Sequence, residues 1–376
     1  MQAFPSLHAA LDQAVASGIF PGAVLAIRQG GGPSCFITAG RMSTELSGNP
    51  VSSSTVYDLA SLTKPLATVT SLALLIQRGQ CQLDNHIDGL FPELEDAAIG
   101  QATLRQLLTH SSGLTGYRGY YEHLSPNAIL PSSQHARVHA GQQVVQLIKR
   151  EAMIYERDER SLYSDLGFMI LGLVIERLSS MTLDQFVCGQ IVQPLNAHPL
   201  CYLPTDHEGV SRRMSMINVI APTEWDAWRG HLLCGEVHDE NAAALGGVAG
   251  HAGLFGTAEA VLALTGAWLA GYHCKPSILD HAVVREFTRR QTTVPESSWA
   301  LGWDTPSLPS SSGQYFSSHS FGHLGYTGTS IWIDPECELE VVLLSNRVHP
   351  TRKNEEIRNL RPAIHDLVYQ EFVIGS

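Results

Sequence analysis

Strand-like stretches stand at both ends of this 376-residue chain with helical ones between them, and that order limits the possible folds more than any single motif does. Near the start, Gly22-Ala-Val-Leu-Ala-Ile-Arg28 and Ser34-Cys-Phe-Ile-Thr38 are separated by a turn with glycine at positions 30, 31 and 32, which predicts a hairpin. Near the end, Thr329–Asp334 and Leu339–Ser345 flank Pro335-Glu-Cys-Glu338 and predict a second one. A helix beginning near Ser6 precedes the first hairpin, and a helical tail from about Asn354 to Phe372 follows the second. The middle reads mostly as helix, as in Leu66–Arg78, Leu104–Thr109, Gln142–Arg150 and Leu166–Leu178. The expected organisation is one α/β domain built from both termini, residues 1–60 with 250–376, and an inserted mostly helical domain over 61–249.

Composition excludes several classes of function. Only 16% of residues are charged and 44% are hydrophobic, against disorder and against a solvating tail. The 36 acidic residues outnumber the 24 basic ones, for a net charge of -12, and no basic cluster offsets it. Such a surface repels a phosphate backbone, so nucleic-acid partners are not expected. The seven cysteines are scattered without a C-x-x-C, which points to a reducing compartment and gives no zinc or redox motif. Met1–Phe20 lacks a basic start and a long apolar run, and no stretch reaches 18 uninterrupted apolar residues. A cytoplasmic location without a membrane span is therefore expected.

Three segments carry residue types suited to catalysis. Ser61-Leu-Thr-Lys64 stands directly before an apolar helical run, and residues at i and i+3 can meet on one face. A serine hydroxyl becomes a nucleophile when a neighbouring base takes its proton, and a lysine can be that base if burial or another cation lowers its pKa. The plain structural reading is an N-capping serine with a solvated lysine. Tyr163-Ser-Asp165 precedes Leu166–Leu178. A tyrosine there, near a cation, could exist partly as phenolate and relay protons, while Asp165 could hold Lys64 or, like Ser164, simply cap the helix. Gly322-His-Leu-Gly-Tyr-Thr-Gly-Thr329 leads into a strand, where glycines admit close approach by a ligand and a backbone N–H could face an oxyanion. A glycine-rich strand edge with an incidental histidine is the alternative.

In this order the three segments resemble the class C β-lactamase and penicillin-binding-protein-like serine hydrolases, which include esterases and D,D-peptidases. Tyr57-Asp-Leu-Ala-Ser61, Leu107-Leu-Thr-His-Ser-Ser-Gly-Leu114 and Gly253-Leu-Phe-Gly-Thr-Ala258 extend the resemblance, which covers about residues 5–370. It implies an α+β fold of the β-lactamase/transpeptidase type: an antiparallel sheet flanked by helices, an inserted helical domain, and a cleft between them. It also implies a cofactor-free hydrolase in which Ser61 is the nucleophile, Lys64 its activating partner and Tyr163 the general base. The backbone N–H groups of Ser61 and Tyr326 would form the oxyanion hole, beside Gly325. His323 stands where many β-lactamases have lysine, and Asp165 where they usually have an asparagine that contacts the substrate amide. Both departures weigh against efficient β-lactam hydrolysis.

Gly235-Glu-Val-His-Asp-Glu-Asn241 and the glycine-rich 246–253 resemble a carboxypeptidase-like subgroup, so His238, Asp239 and His251 are candidate substrate contacts. A helix start capped by Asp239 explains the same residues. His238, Asp239 and His251, or His135 with His139, could also be read toward a metal, but neither set is complete and no metal is expected. Ser318-His-Ser-Phe-Gly322 lacks the first glycine of a nucleophile elbow, and 247–253 lacks the spacing of a dinucleotide fingerprint. The expected substrate is a small ester or amide, with the class open between a carboxylic ester, a D-amino-acid amide and a peptidoglycan fragment. A β-lactamase is the alternative enzyme, and a binding protein for wall fragments or β-lactams the alternative of another kind.

Overall fold

The computed structural model describes residues 4–45 and 48–375. Met1 to Ala3, part of the expected first domain segment, lie outside the described residues, as do Leu46, Ser47 and Ser376. Both expected hairpins form. Strands β1 (Gly22–Gln29) and β2 (Cys35–Gly40) are joined through a turn in which Gly30 and Gly31 take φ of 59° and 68°, values that favour glycine. Strands β3 (Phe321–Leu324), β4 (Ser330–Asp334) and β5 (Leu339–Ser345) follow near the C-terminus. The two groups pair through β1 and β5, with Ala23 opposite Ser345 and Gln29 opposite Leu339, giving one antiparallel sheet of order β2-β1-β5-β4-β3. The first and last thirds of the chain thus complete each other.

Strand periodicity explains the layers. Side chains alternate between faces, and both faces of this sheet are covered, so its central strands are apolar almost throughout. On one face Ala23, Leu25 and Ile27 of β1 join Leu339, Val341 and Leu343 of β5 and Trp332 of β4. The helices α1 (Pro5–Ala16) and α6 (Ile357–Tyr369) close that face with Leu7, Leu11, Ile357, Ile364 and Val368. On the other face Val24, Ala26, Val342, Leu344, Ile331 and Ile333 enter the main core. There α5 (Ala258–Tyr272) packs on β1 and β5, and its ten buried residues leave little polar face. Leu25 and Leu343 have no exposed surface, and truncating either to alanine would cost about 2–5 kcal/mol.

Between the two groups of strands in the sequence come α2 (Thr70–Gln77), α3 (Gln134–Lys149) and α4 (Asp165–Ser179), with several shorter helices. Ser164 caps α4, its Oγ accepting the Gly167 N–H at 3.3 Å, which leaves the Asp165 carboxylate in the first turn free for another partner. A small three-stranded sheet (Tyr57–Asp58, Leu254–Gly256, Cys201–Tyr202) ties the approach to Ser61 to the segment after His251. Among the described residues no single helix is long and apolar enough to cross a membrane.

Candidate active site

Ser61 stands on a short 3-10 turn, Ala60–Leu62, and the next turn, Lys64–Val69, is wound as a π-helix before α2 begins. Ala60 takes a left-handed φ of 47°, a strained choice for a residue with a Cβ. Its N–H donates to Asp58 Oδ1 at 2.8 Å, while Asp58 Oδ2 accepts the His238 N–H at 2.6 Å. Thr327 Oγ1 donates to the Asp58 carbonyl at 2.7 Å, and Thr329 Oγ1 to the Leu59 carbonyl at 3.1 Å. The Ser61 turn, the 238 segment and the β3–β4 turn are therefore joined around one buried aspartate.

Lys64 is fully buried, and its Nζ donates to Ser61 Oγ at 3.1 Å, to Asp165 Oδ1 at 2.7 Å and to the His251 carbonyl at 3.1 Å. Lys64 and Ser61 both act on the Tyr163 hydroxyl, pulling its pKa down, and Nζ sits 4.8 Å from the centre of the tyrosine ring. The titration of the group differs from the expectation of a lysine lowered by burial. Burial does push Lys64 down, but the Asp165 carboxylate and Tyr163 outweigh it and carry the amine above its ordinary value. Burial raises the Tyr163 phenol, and Lys64 only partly opposes that. The resting group is an ammonium, a phenol and a carboxylate rather than a free amine or a phenolate.

His323 on β3 is buried, with Nδ1 2.7 Å from the Leu324 carbonyl, so Nδ1 carries the proton and Nε2 keeps a lone pair without a partner. Burial, with the Lys64 charge adding to it, pushes its pKa down to about 3, so the ring is neutral throughout the physiological range. His110 is a second buried imidazole, absent from the sequence-derived candidates. Its Nδ1 accepts the Ser164 N–H at 3.0 Å, and burial, Lys64 and His323 hold it well below the usual histidine range. Trp299 completes a cluster in which His110 lies 4.7 Å from Tyr163, and Tyr163 6.0 Å from His323. Leu107–Leu114 was the available signal for His110 and Tyr57–Ser61 that for Asp58; for Trp299 nothing local distinguished it from core residues.

The structure brings most other candidates to this place. His251 Nε2 is 2.8 Å from Asp239 Oδ1, and Asp239 also accepts the Ala242 N–H at 2.7 Å as the expected helix cap. Burial would raise the Asp239 carboxyl, but His251, the cap and the Lys64 charge hold it below the ordinary range. His238 instead turns to Glu224 at 2.9 Å, an acid that also takes Arg352. Gly325 is wedged so tightly that a Cβ would lie 2.0 Å from Thr329 Oγ1 and 2.7 Å from the Leu59 carbonyl. Among the described residues no group of three His, Cys, Asp or Glu side chains could hold a metal ion, and His135 and His139 lie exposed on α3. A cavity of about 870 Å³ between α3 and α4, lined by Phe91, Gln146, Leu173 and Glu176, takes in none of the catalytic candidates.

Comparison with known proteins matches residues 7–364 to the family described as Beta-lactamase. A "Putative D-alanyl-D-alanine carboxypeptidase" of Salmonella agona is 29% identical over 319 residues, 81% of this chain and 72% of that one. Two solved structures share the fold. Simvastatin synthase (LovD) from Aspergillus terreus, at 19% identity, has a TM-score of 0.74 with 98% of each chain covered. EstCE1, "a hydrolase with promiscuous acyltransferase activity", at 20% identity, has a TM-score of 0.71 with 96% of this chain and 97% of the other covered.

Proposed function

The chain belongs to the β-lactamase family and is a serine hydrolase, and from that premise we propose that it cleaves small uncharged esters and amides through an acyl-enzyme on Ser61, in the cleft between the terminal α/β domain and the helical insertion. The observation that carries this reading is the buried Lys64 Nζ, 3.1 Å from Ser61 Oγ and 4.8 Å from the centre of the Tyr163 ring. Loss of one proton from the Lys64–Tyr163 pair leaves an ammonium beside a phenolate. Tyr163 then takes the Ser61 proton as Oγ attacks the substrate carbonyl carbon. Charge gathers on the carbonyl oxygen, which the Ser61 and Tyr326 N–H groups receive. On collapse Tyr163 returns the proton to the departing alkoxide or amine. Water enters by the same route and attacks the acyl carbon, giving up its proton to Tyr163, which passes it to Ser61 Oγ as the acid is released.

Charge around the cleft supports neutral substrates. His323 carries no charge, and Lys64 is matched by Asp165 with Asp239 close behind. Arg229 is bound to Asp226, and Arg352 to Glu224 and Glu240. A substrate carboxylate, such as every β-lactam of the penicillin and cephalosporin type carries, finds no free cation among these, and the carboxylate-free Arg347 and Arg361 are buried with their donors on backbone carbonyls. Asp165 would also face the substrate amide with a negative charge in place of a neutral side chain. The name of the Salmonella relatives favours a second reading, release of the terminal residue from D-alanyl-D-alanine peptides or peptidoglycan fragments. A cytoplasmic setting, which we propose from the sequence, would make such fragments recycled ones.

The test is turnover of p-nitrophenyl acetate and butyrate, a chromogenic cephalosporin and an N-acyl-D-alanyl-D-alanine side by side. Short esters should lead in kcat/KM. Cephalosporin hydrolysis ahead of the esters would install the β-lactamase reading, and no turnover or acylation of any of them would favour a binding protein.

A further inference from the structure

Arg361 lies on α6, 5% exposed, and its Nη2 donates to the Gly325 carbonyl at 2.6 Å and to the Thr329 carbonyl at 2.9 Å. Among the described residues no carboxylate accompanies it. The groups acting on its charge are burial, which pushes it down to about 9, and then Arg347 and Arg358, so it stays cationic at neutral pH. Its Nε has no partner. A buried cation is costly unless it is paired, so one kept among carbonyls calls for a reason beyond packing.

The carbonyl it grips belongs to the peptide that ends in the Tyr326 N–H. Peptide units are planar and, outside three X-Pro bonds elsewhere among the described residues, trans, so a donor on the Gly325 oxygen stands opposite the Tyr326 N–H. A charge-assisted bond to the oxygen draws electron density away from the N–H and makes it a stronger donor. That N–H bonds no other group of the described chain, while the Tyr326 carbonyl accepts Arg347 Nε at 2.8 Å. Thr327 and Thr329 already pin the turn to Asp58 and Leu59, so its position does not depend on Arg361 alone. What the guanidinium adds is charge behind the donor.

We infer that Arg361 is a positioning residue of the oxyanion hole, holding the Gly325–Tyr326 peptide and polarising its N–H toward the oxyanion that forms on the substrate. The inference rests on the proposed role of the Tyr326 N–H. Because it acts on the charge that develops during reaction, it affects kcat more than KM.

The experiment compares Arg361→Gln, Arg361→Lys and the exposed-site control Arg358→Met with the wild type. The readouts are p-nitrophenyl butyrate turnover and affinity for a short-chain boronic acid, whose adduct on Ser61 mimics the tetrahedral state. Rates are normalised to sites titrated by a fluorophosphonate, so misfolded molecules do not count. Removing an oxyanion donor outright costs about 10²–10³ in kcat, and removing the charge behind it should cost about tenfold. Arg361→Gln should therefore lose about tenfold in kcat and in boronate affinity with KM within about twofold, while Arg361→Lys stays within about threefold of wild type. Equal losses in the Gln and Lys variants, or a Gln variant no weaker than Arg358→Met, overturn the inference and leave the Ser61 reading intact. A wild type that neither turns over the ester nor binds the boronate overturns both.

Discussion

Asp165→Asn exposes the proton balance of the site most sharply. The Asp165 carboxylate lies 2.7 Å from Lys64 Nζ, and it raises the pKa of both Lys64 and Tyr163. For charges this close, Coulomb's law at an effective dielectric of about 20 gives roughly 6 kcal/mol, and measured effects of one neighbouring opposite charge are about 1–3 pKa units. Asparagine keeps the size and a hydrogen-bond acceptor but removes the charge. Lys64 and Tyr163 share a proton, so the observable is the pKa of the pair. That pKa should fall by about 1–3 units, and the acid limb of the kcat/KM profile should move to lower pH by the same amount. At pH 7 the active form becomes about 10–1000 times more abundant, while the base weakens by about the square root of that factor on a Brønsted slope near 0.5. The net gain is about 3–30-fold. The assay is kcat/KM for p-nitrophenyl butyrate from pH 5 to 10 in both proteins. An acid limb that stays in place or moves upward refutes the assignment of Asp165 as the group holding the proton on the pair.

Three further outcomes follow from the same geometry. Lys64→Ala and Tyr163→Phe should each lower kcat by at least about 10²–10⁴, and the double variant should lose little more than the worse single; strictly additive losses would mean independent roles. His323 and His365 are buried with pKa values of about 3 and 4, so the stability they lend is complete above the unfolded value of about 6.5 and is lost as pH falls toward those values. At pH 4 each costs about 3 kcal/mol, and urea unfolding of His323→Gln should show a smaller drop between pH 7 and pH 4 than the wild type; an equal drop contradicts the buried neutral ring. His323→Lys should raise the ratio of cephalosporin to butyrate turnover while lowering Tm, because it buries a second cation near Lys64; an unchanged ratio would show that His323 does not meet the substrate.

The two hairpins and the terminal helices were legible because a sheet covered on both faces writes itself as short apolar runs between turns, as in Ala23–Ile27 and Val341–Leu344. Ser61, Lys64 and Tyr163 were legible as residue types in order, although 101 positions separate Lys64 from its counterion Asp165. Charge state was not legible. Whether a lysine is lowered by burial or raised by a carboxylate depends on a distance of a few ångströms, which spacing along the chain does not encode. Asp58, His110 and Arg361 escaped for a related reason: each works through a backbone group. Asp58 accepts the His238 N–H across 180 residues, and Arg361 meets the Gly325 carbonyl across 36, so no side-chain motif marks either contact. The 870 Å³ cavity beside α3 shows the converse, that size alone does not mark the chemistry.

The account stands most directly on the identity of the acylated residue. Intact-mass analysis followed by peptide mapping after reaction with a fluorophosphonate should give one adduct per chain, on Ser61, and none in Ser61→Ala. The neighbouring hydroxyls are otherwise engaged: Ser111 Oγ donates to Asp158 at 2.6 Å, Ser164 Oγ to the Thr115 carbonyl at 2.8 Å, and Ser320 is fully buried. An adduct on Ser111, Ser164 or Ser320, or labelling that persists in Ser61→Ala, contradicts the account.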